Sequence, residues 1–178
     1  MSRLKWLILD ASDVIHLHEF GLWGRLIGLC DVHLARTVVD VEASFFEEDG
    51  ATHPIDLAED IQQGRVRVFD VPLEPINRFR AQFDPLYVGE LDPGETEALA
   101  YLTQSTESFV ISSGDAIVYR VLGSLNRGDQ GISLEEILSR IGLSQKKLPW
   151  SCQKAFREKY TKAGQADAIQ GKGLRQSK

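Results

Sequence analysis

Apolar and polar positions along this chain follow two rhythms, and the places where the rhythm changes mark its elements. Leu4-Lys-Trp-Leu-Ile-Leu-Asp10 is an apolar run of strand length that ends in the polar Asp10-Ala-Ser-Asp13, the pattern of a strand turning into a helix. From Val14 to Leu29 the residues Val14, Leu17, Leu22, Leu26 and Leu29 recur near helical spacing, interrupted by Gly21 and Gly24, which predicts two short helices. A short strand is predicted over 31–35. Thr37 is placed to cap a following helix running to about Glu48, with Val38, Val41, Phe45 and Phe46 on one face. Beyond Asp49-Gly50 the pattern gives a short helix over 55–63 closed by Gly64, an alternating strand over 65–69, and an amphipathic helix over 73–83.

The second half is punctuated more sharply. Asp92-Pro93-Gly94-Glu95 opens a helix with an acid cap, a proline at the first helical position and a glutamate three residues past the cap. Ser108-Phe-Val-Ile-Ser112 reads as a short buried strand, and Ser113-Gly114-Asp115 turns it into a helix. Ser133-Leu-Glu-Glu136 starts another helix with a capping box, Pro149 to Ala163 makes a last helix, and Gln165 to Lys178 lacks the apolar content to pack. Strands alternating with helices predict an α/β fold, a three-layer sandwich whose central, mainly parallel sheet is flanked by helices. The expected organisation is an α/β domain over 1–126, a helical extension over 127–163 packed on it, and a basic, frayed tail over 164–178.

Composition changes the picture in three places. The first apolar run is too short for a signal-peptide core or a membrane span, and Cys30 and Cys152 stand alone, without the spacing of a zinc site or a disulfide framework. A cytoplasmic protein that does not enter a membrane is expected. The net charge of −6 hides an asymmetry: through Gln145 there are 11 Lys and Arg against 24 Asp and Glu, and from Lys146 onward 9 against 2. An acidic body with a basic tail suits contact with a polyanion through the tail, or a tail that is simply solvated.

The acids carry the candidate chemistry. Asp10 and Asp115 both fall just past strand ends, where parallel sheets bind ligands, and Glu42 and Glu95 sit on segments that can face the same crevice. Such oxygen ligands suit Mg²⁺ or Mn²⁺, and a shared cation relieves the repulsion that otherwise drives clustered carboxylates toward protonation. Glu95, Asp115 and Glu42 also have plainer roles, as capping-box partner of Asp92, as an acid favoured in a first helical turn and as one surface acid among several, and Asp13 is placed either to orient a ligand or to satisfy free amides at its helix start. Glu97 is no substitute for Glu95, being turned away by about 200°. His16 and His18 on one helix point apart and do not form a zinc pair, and no histidine follows Ser112-Ser113 to act as a base. Trp6, Trp23 and Trp150 suit packing, with Trp150, beside the basic tail, the one also placed for base stacking.

Leu9-Asp-Ala-Ser-Asp-Val-Ile15, Val41-Glu42, Leu91-Asp-Pro-Gly-Glu-Thr-Glu-Ala-Leu-Ala100 and Phe109-Val-Ile-Ser-Ser-Gly-Asp115 occur in the order seen in PIN-domain proteins, and over 4–125 the chain resembles the PIN-like nucleases. The resemblance implies a parallel sheet wrapped by helices, and cleavage of RNA with Mg²⁺ or Mn²⁺ held by Asp10, Glu42, Glu95 and Asp115. It also implies a bacterial toxin paired with an antitoxin protein as one form of the function, and leaves a homo-oligomer open. Lys146, Lys147, Lys154, Arg157 and Lys159 are the basic residues nearest to hand for phosphates. One departure stands out: many relatives carry neighbouring acids after the later strand, whereas Ser112, Ser113 and Gly114 precede a single Asp115 here. A second expectation follows, that the chain has lost turnover and serves as an RNA-binding or regulatory module.

Overall fold

The structure, a computed structural model, describes residues 4–175. Among these described residues six strands and eight α-helices follow in the order β1 (Leu4–Leu9), α1 (Ala11–Glu19), α2 (Trp23–Leu29), β2 (Cys30–Ala35), β3 (Phe45–Glu48), β4 (Ala51–Pro54), α3 (Ala58–Gln62), β5 (Val66–Phe69), α4 (Leu73–Arg80), α5 (Pro93–Gln104), β6 (Val110–Ser112), α6 (Ala116–Ser124), α7 (Leu134–Arg140) and α8 (Lys154–Ile169). The four strands β5-β2-β1-β6 form one sheet, in which every pairing is parallel, flanked by helices. A parallel sheet covered on both faces needs strands that are apolar throughout. Leu7, Ile8, Leu9, Val32, Leu34 and Ile111 supply them, all fully buried.

The order of the strands places the crevice. The chain moves outward from β1 through β2 to β5, then returns to lay β6 on the other side of β1. The strand order therefore reverses between β1 and β6, and the carboxyl ends at such a switch point are where parallel sheets bind ligands. Asp10 follows β1 and Ser113 follows β6, and the Asp10 amide donates to the Ser112 carbonyl at 3.0 Å, which pins the two strand ends together.

Gly21, at φ +64°, separates α1 from α2 as the glycine pattern predicts. The helix expected over 38–48 is not formed. Val38–Glu42 make a single wide π-type turn, Thr37 gives no side-chain cap, and Phe45–Glu48 pair with Ala51–Pro54 as an antiparallel hairpin. Asp49 and Gly50 at its tip both take positive φ, 49° and 77°, the requirement of a tight two-residue hairpin turn. The four apolar residues fit helical spacing on paper, yet Val41 and Phe45 are exposed, so no core draws them to one face.

The C-terminal helix differs from expectation too. It begins at Lys154, after a 3₁₀ turn over Trp150–Cys152, and runs on to Ile169 rather than fraying past Ala163. Asp167 holds Arg120 through Nη2 at 2.6 Å and accepts from the Tyr87 hydroxyl at 3.1 Å, and the Arg175 amide donates to the Gln82 carbonyl at 2.8 Å. The tail expected to fray is thus tied down through Arg175, and 176–178 lie outside the described residues. α8 crosses α6 where Gly123 and Gly164 meet: a Cβ on Gly164 would overlap the Arg120 carbonyl, and one on Gly123 the Thr161 carbonyl. No helix among the described residues is long and apolar enough to cross a membrane.

Candidate metal centre

Asp10 is 4% exposed, and its two carboxylate oxygens have different surroundings. Oδ2 accepts from the Ser12 and Ser113 hydroxyls, each at 3.0 Å, while Oδ1 is buried with no hydrogen-bond partner. A buried carboxylate oxygen without a donor is costly, and a cation is one partner that would satisfy it.

Two further acids meet it there. Asp10, Asp92 and Glu95 each offer an oxygen within 4.8 Å of the others, with Asp10 and Glu95 buried and Asp92 exposed. The start of α5 sets this geometry. Asp92 caps the helix, accepting from the Glu95 amide at 2.8 Å, and Glu95 reaches back to the Asp92 amide at 3.1 Å. The plainer role expected of Glu95 is therefore real, and the same capping box delivers both acids to Asp10. The Ser113 hydroxyl stands between Asp10 and Glu95, 3.4 Å from Glu95 Oε1, and accepts from the Asp115 amide at 3.0 Å.

Glu42 and Asp115 stand at the margin, outside that three-residue group. Glu42 Oε1 accepts from the Gly94 amide at 2.9 Å, and its Oε2 is buried without a partner. Gly94 has no side chain because Glu42 occupies the place: a Cβ there would overlap the Glu42 carboxylate. Asp115 is exposed and caps α6, accepting from the Ile117 amide at 3.3 Å. Glu97, two residues from Glu95, faces the other way as its helix position dictates. It is buried and accepts from the Thr37 and Val71 amides, both at 3.1 Å, tying together the ends of β2 and β5.

Electrostatics records the crowding. Burial, then Asp10, Asp92 and Asp115, push the Glu95 carboxyl up to about 9. Burial and then Asp92 raise Asp10, and burial raises Glu42, with Asp92, Asp10 and Glu97 adding to it. No lysine or arginine among the described residues forms an ion pair with Asp10, Glu42, Asp92, Glu95 or Asp115. Asp13 is fully buried, makes no cap, has no well-formed hydrogen bond on either oxygen, and is pushed up to about 7 mainly by burial, which the neighbouring Ser112 hydroxyl opposes. A cluster of this composition, all oxygen, with orphaned buried atoms and no paired cation, fits a hard divalent metal ion.

Of the four predicted ligands, then, the structure joins Asp10 and Glu95 directly and sets Glu42 and Asp115 beside them. Asp92 completes the group, although its cap position gave it a sufficient explanation in sequence. The signal that finds it is topological: it caps a helix that opens onto the cleft. Among the predicted phosphate contacts, Lys146 and Lys147 are exposed and form no ion pair among the described residues. Lys154 pairs with Glu158 at 3.6 Å and Lys159 lies over the Tyr160 ring. Arg157 is committed to Glu136 through two hydrogen bonds, at 2.7 and 3.0 Å, so it is not available to phosphate as it stands. His16 engages Glu19 and His18 the Val14 carbonyl, each through Nδ1 at 2.8 Å, so the two do not converge. Compared with known proteins, the chain matches no family model, no curated protein and no solved structure.

Proposed function

We propose that this protein is a metal-dependent endoribonuclease whose cation is Mg²⁺ or Mn²⁺. The observation that carries the reading is Asp10 Oδ1: a buried, partnerless carboxylate oxygen at the strand-reversal cleft, with Asp92 and Glu95 beside it and no cationic side chain paired to any of them. Asp10, Asp92 and Glu95 would hold the ion, with Glu42 and Asp115 close enough to add to its field. Bound there, it would supply a charge that lowers the pKa of water and stabilises negative charge on a phosphoryl oxygen. The chain's own part is positioning. Ser12 and Ser113 fix one oxygen of Asp10 and leave the other free, the Gly94 amide orients Glu42, and the acidic surroundings turn RNA away until a cation is present. The resemblance to PIN-like nucleases supports RNA as the substrate, and an antitoxin protein as a partner in the toxin form of that function.

A second reading, an RNA-binding or regulatory module without turnover, draws on one observation. The capping box already occupies one oxygen each of Asp92 and Glu95, and Asp115 is likewise spent on a helix amide. Incubating the purified protein with mixed RNA, with and without Mn²⁺, beside Asp10→Asn, separates the two. Cleavage that needs Mn²⁺ and disappears in Asp10→Asn supports the enzyme. Stabilisation by Mn²⁺ without cleavage supports the module.

A further inference from the structure

Trp150 is 49% exposed at the head of the 3₁₀ turn Trp150–Cys152, the only tryptophan among the exposed large hydrophobics of the described residues. The ring is braced rather than loose. Phe156 meets it edge-on at 6.0 Å, and Phe156 in turn packs against Tyr160 at 4.7 Å and Tyr119 at 6.1 Å. Cys152, buried, anchors the far end of the turn. This turn belongs to the C-terminal extension, yet it lies against the cleft. The Ser151 hydroxyl is 3.6 Å from where a Cβ on Gly114 would sit, and Gly114 lies between Ser113, which bridges Asp10 and Glu95, and Asp115. An exposed indole, braced on one side by Phe156, thus precedes the residue whose hydroxyl lies against Gly114 beside the acidic centre.

Its neighbours in sequence say what it would meet. Lys146 and Lys147, exposed and free of ion pairs among the described residues, precede it in a chain whose body is otherwise acidic. An apolar protein surface would gain nothing from that pair of charges. A single strand of nucleic acid offers what both features accept, an unstacked base face for the ring and phosphates for the lysines, whereas a duplex keeps its bases stacked on one another.

We propose that Trp150 is a positioning residue, a platform on which an unpaired nucleobase stacks beside the acidic centre while Lys146 and Lys147 take the adjoining phosphates. This rests on the nuclease reading and names the residues of the extension that would hold an unpaired stretch of its RNA beside the acidic centre.

Steady-state cleavage of a single-stranded RNA oligonucleotide in Mn²⁺ tests it, with wild type, Trp150→Ala, Trp150→Phe and the double variant Lys146→Ala/Lys147→Ala. Trp150→Ala should raise KM about 5- to 160-fold, the range for loss of one stacked base, with kcat much less affected. Trp150→Phe, which keeps an aromatic face, should recover most of the loss. The Mn²⁺-linked rise in thermal stability should be the same in all four proteins, because none of these residues touches the carboxylates. The lysine variant should reduce the salt dependence of binding to the single strand by a slope of about 1.4. If wild type cleaves and Trp150→Ala has an unchanged KM, the platform is overturned and the nuclease stands, as it would if the exposed ring served a protein partner. If wild type neither cleaves nor binds the oligonucleotide, both are overturned.

Discussion

Without a cation the acidic centre should make this protein less stable as pH rises, and Glu95 sets the size of the effect. Its carboxyl is pushed from 4.5 up to about 9, by burial first and then by Asp10, Asp92 and Asp115. A carboxyl with a higher pKa folded than unfolded keeps its proton longer in the folded chain. The folded state therefore binds more protons throughout that window, and stability is lost as pH climbs through it. Each pH unit costs about 1.4 kcal/mol for one such group. His18 and His33, lowered chiefly by burial, act in the opposite sense, but only below their ordinary value of 6.5. Between pH 6.5 and 8.5 the Glu95 contribution is therefore exposed, at most about 3 kcal/mol, which for a chain of this size lowers Tm by roughly 6–12 °C. Asp10, raised in the same sense, adds to it, and Asp13 adds up to about 7. Thermal unfolding followed by circular dichroism in EDTA reads the slope directly. Glu95→Gln should flatten it and be the more stable protein at pH 8.5, while Mn²⁺ should stabilise wild type most at high pH, where fewer protons must be displaced. A Tm in EDTA that is level from pH 6.5 to 8.5 would refute the reasoning.

Other substitutions test single contacts. Gly94→Ala puts a methyl group where the Glu42 carboxylate lies, so the Mn²⁺-linked shift in Tm should shrink, and the favourable helix propensity of alanine, about 1 kcal/mol, should partly offset the lost hydrogen bond. Gly164→Ala must push α8 off the Arg120 carbonyl and should cost about 1–3 kcal/mol in denaturant unfolding; Gly24→Ala, with nothing within 4 Å, should instead gain about 0.5–1 kcal/mol. Glu97→Ala leaves the Thr37 and Val71 amides without their acceptor and should lose about 1–3 kcal/mol, again by denaturant unfolding, while its Mn²⁺-linked shift persists.

The sheet and most helices were legible because their signals are local and agree with burial. β1, β5 and β6 are short apolar or alternating runs bounded by turn residues, and the boxes that start α5 and α7 have both reciprocal hydrogen bonds in place. The 38–48 segment was misread because five or six residues of mixed apolar character satisfy either period, and the deciding feature was the Asp49-Gly50 turn, which favours a hairpin over a helix break. The tail past Ala163 differs for another reason: it packs through Gly164, Asp167 and Arg175, by close backbone approach and polar bonds, and through Leu174, an isolated apolar residue that makes no periodic pattern. The site was half legible. Asp10 stood out as an acid ending an apolar strand, but Asp92 was hidden by its role as a cap, and the turn that brings Ser151 against Gly114 depends on tertiary packing that no spacing in the sequence encodes.

The claim on which everything else depends is that the Asp10, Asp92 and Glu95 oxygens share one divalent cation. Crystals grown with Mn²⁺ and measured at an energy where manganese scatters anomalously test it most directly. The predicted result is a single strong anomalous peak in contact with Asp10 Oδ1 and bounded by Asp92 and Glu95, absent from crystals of Asp10→Asn. A map with no peak in that cleft, or one in which the three carboxylates hold only hydrogen bonds to one another, would contradict it.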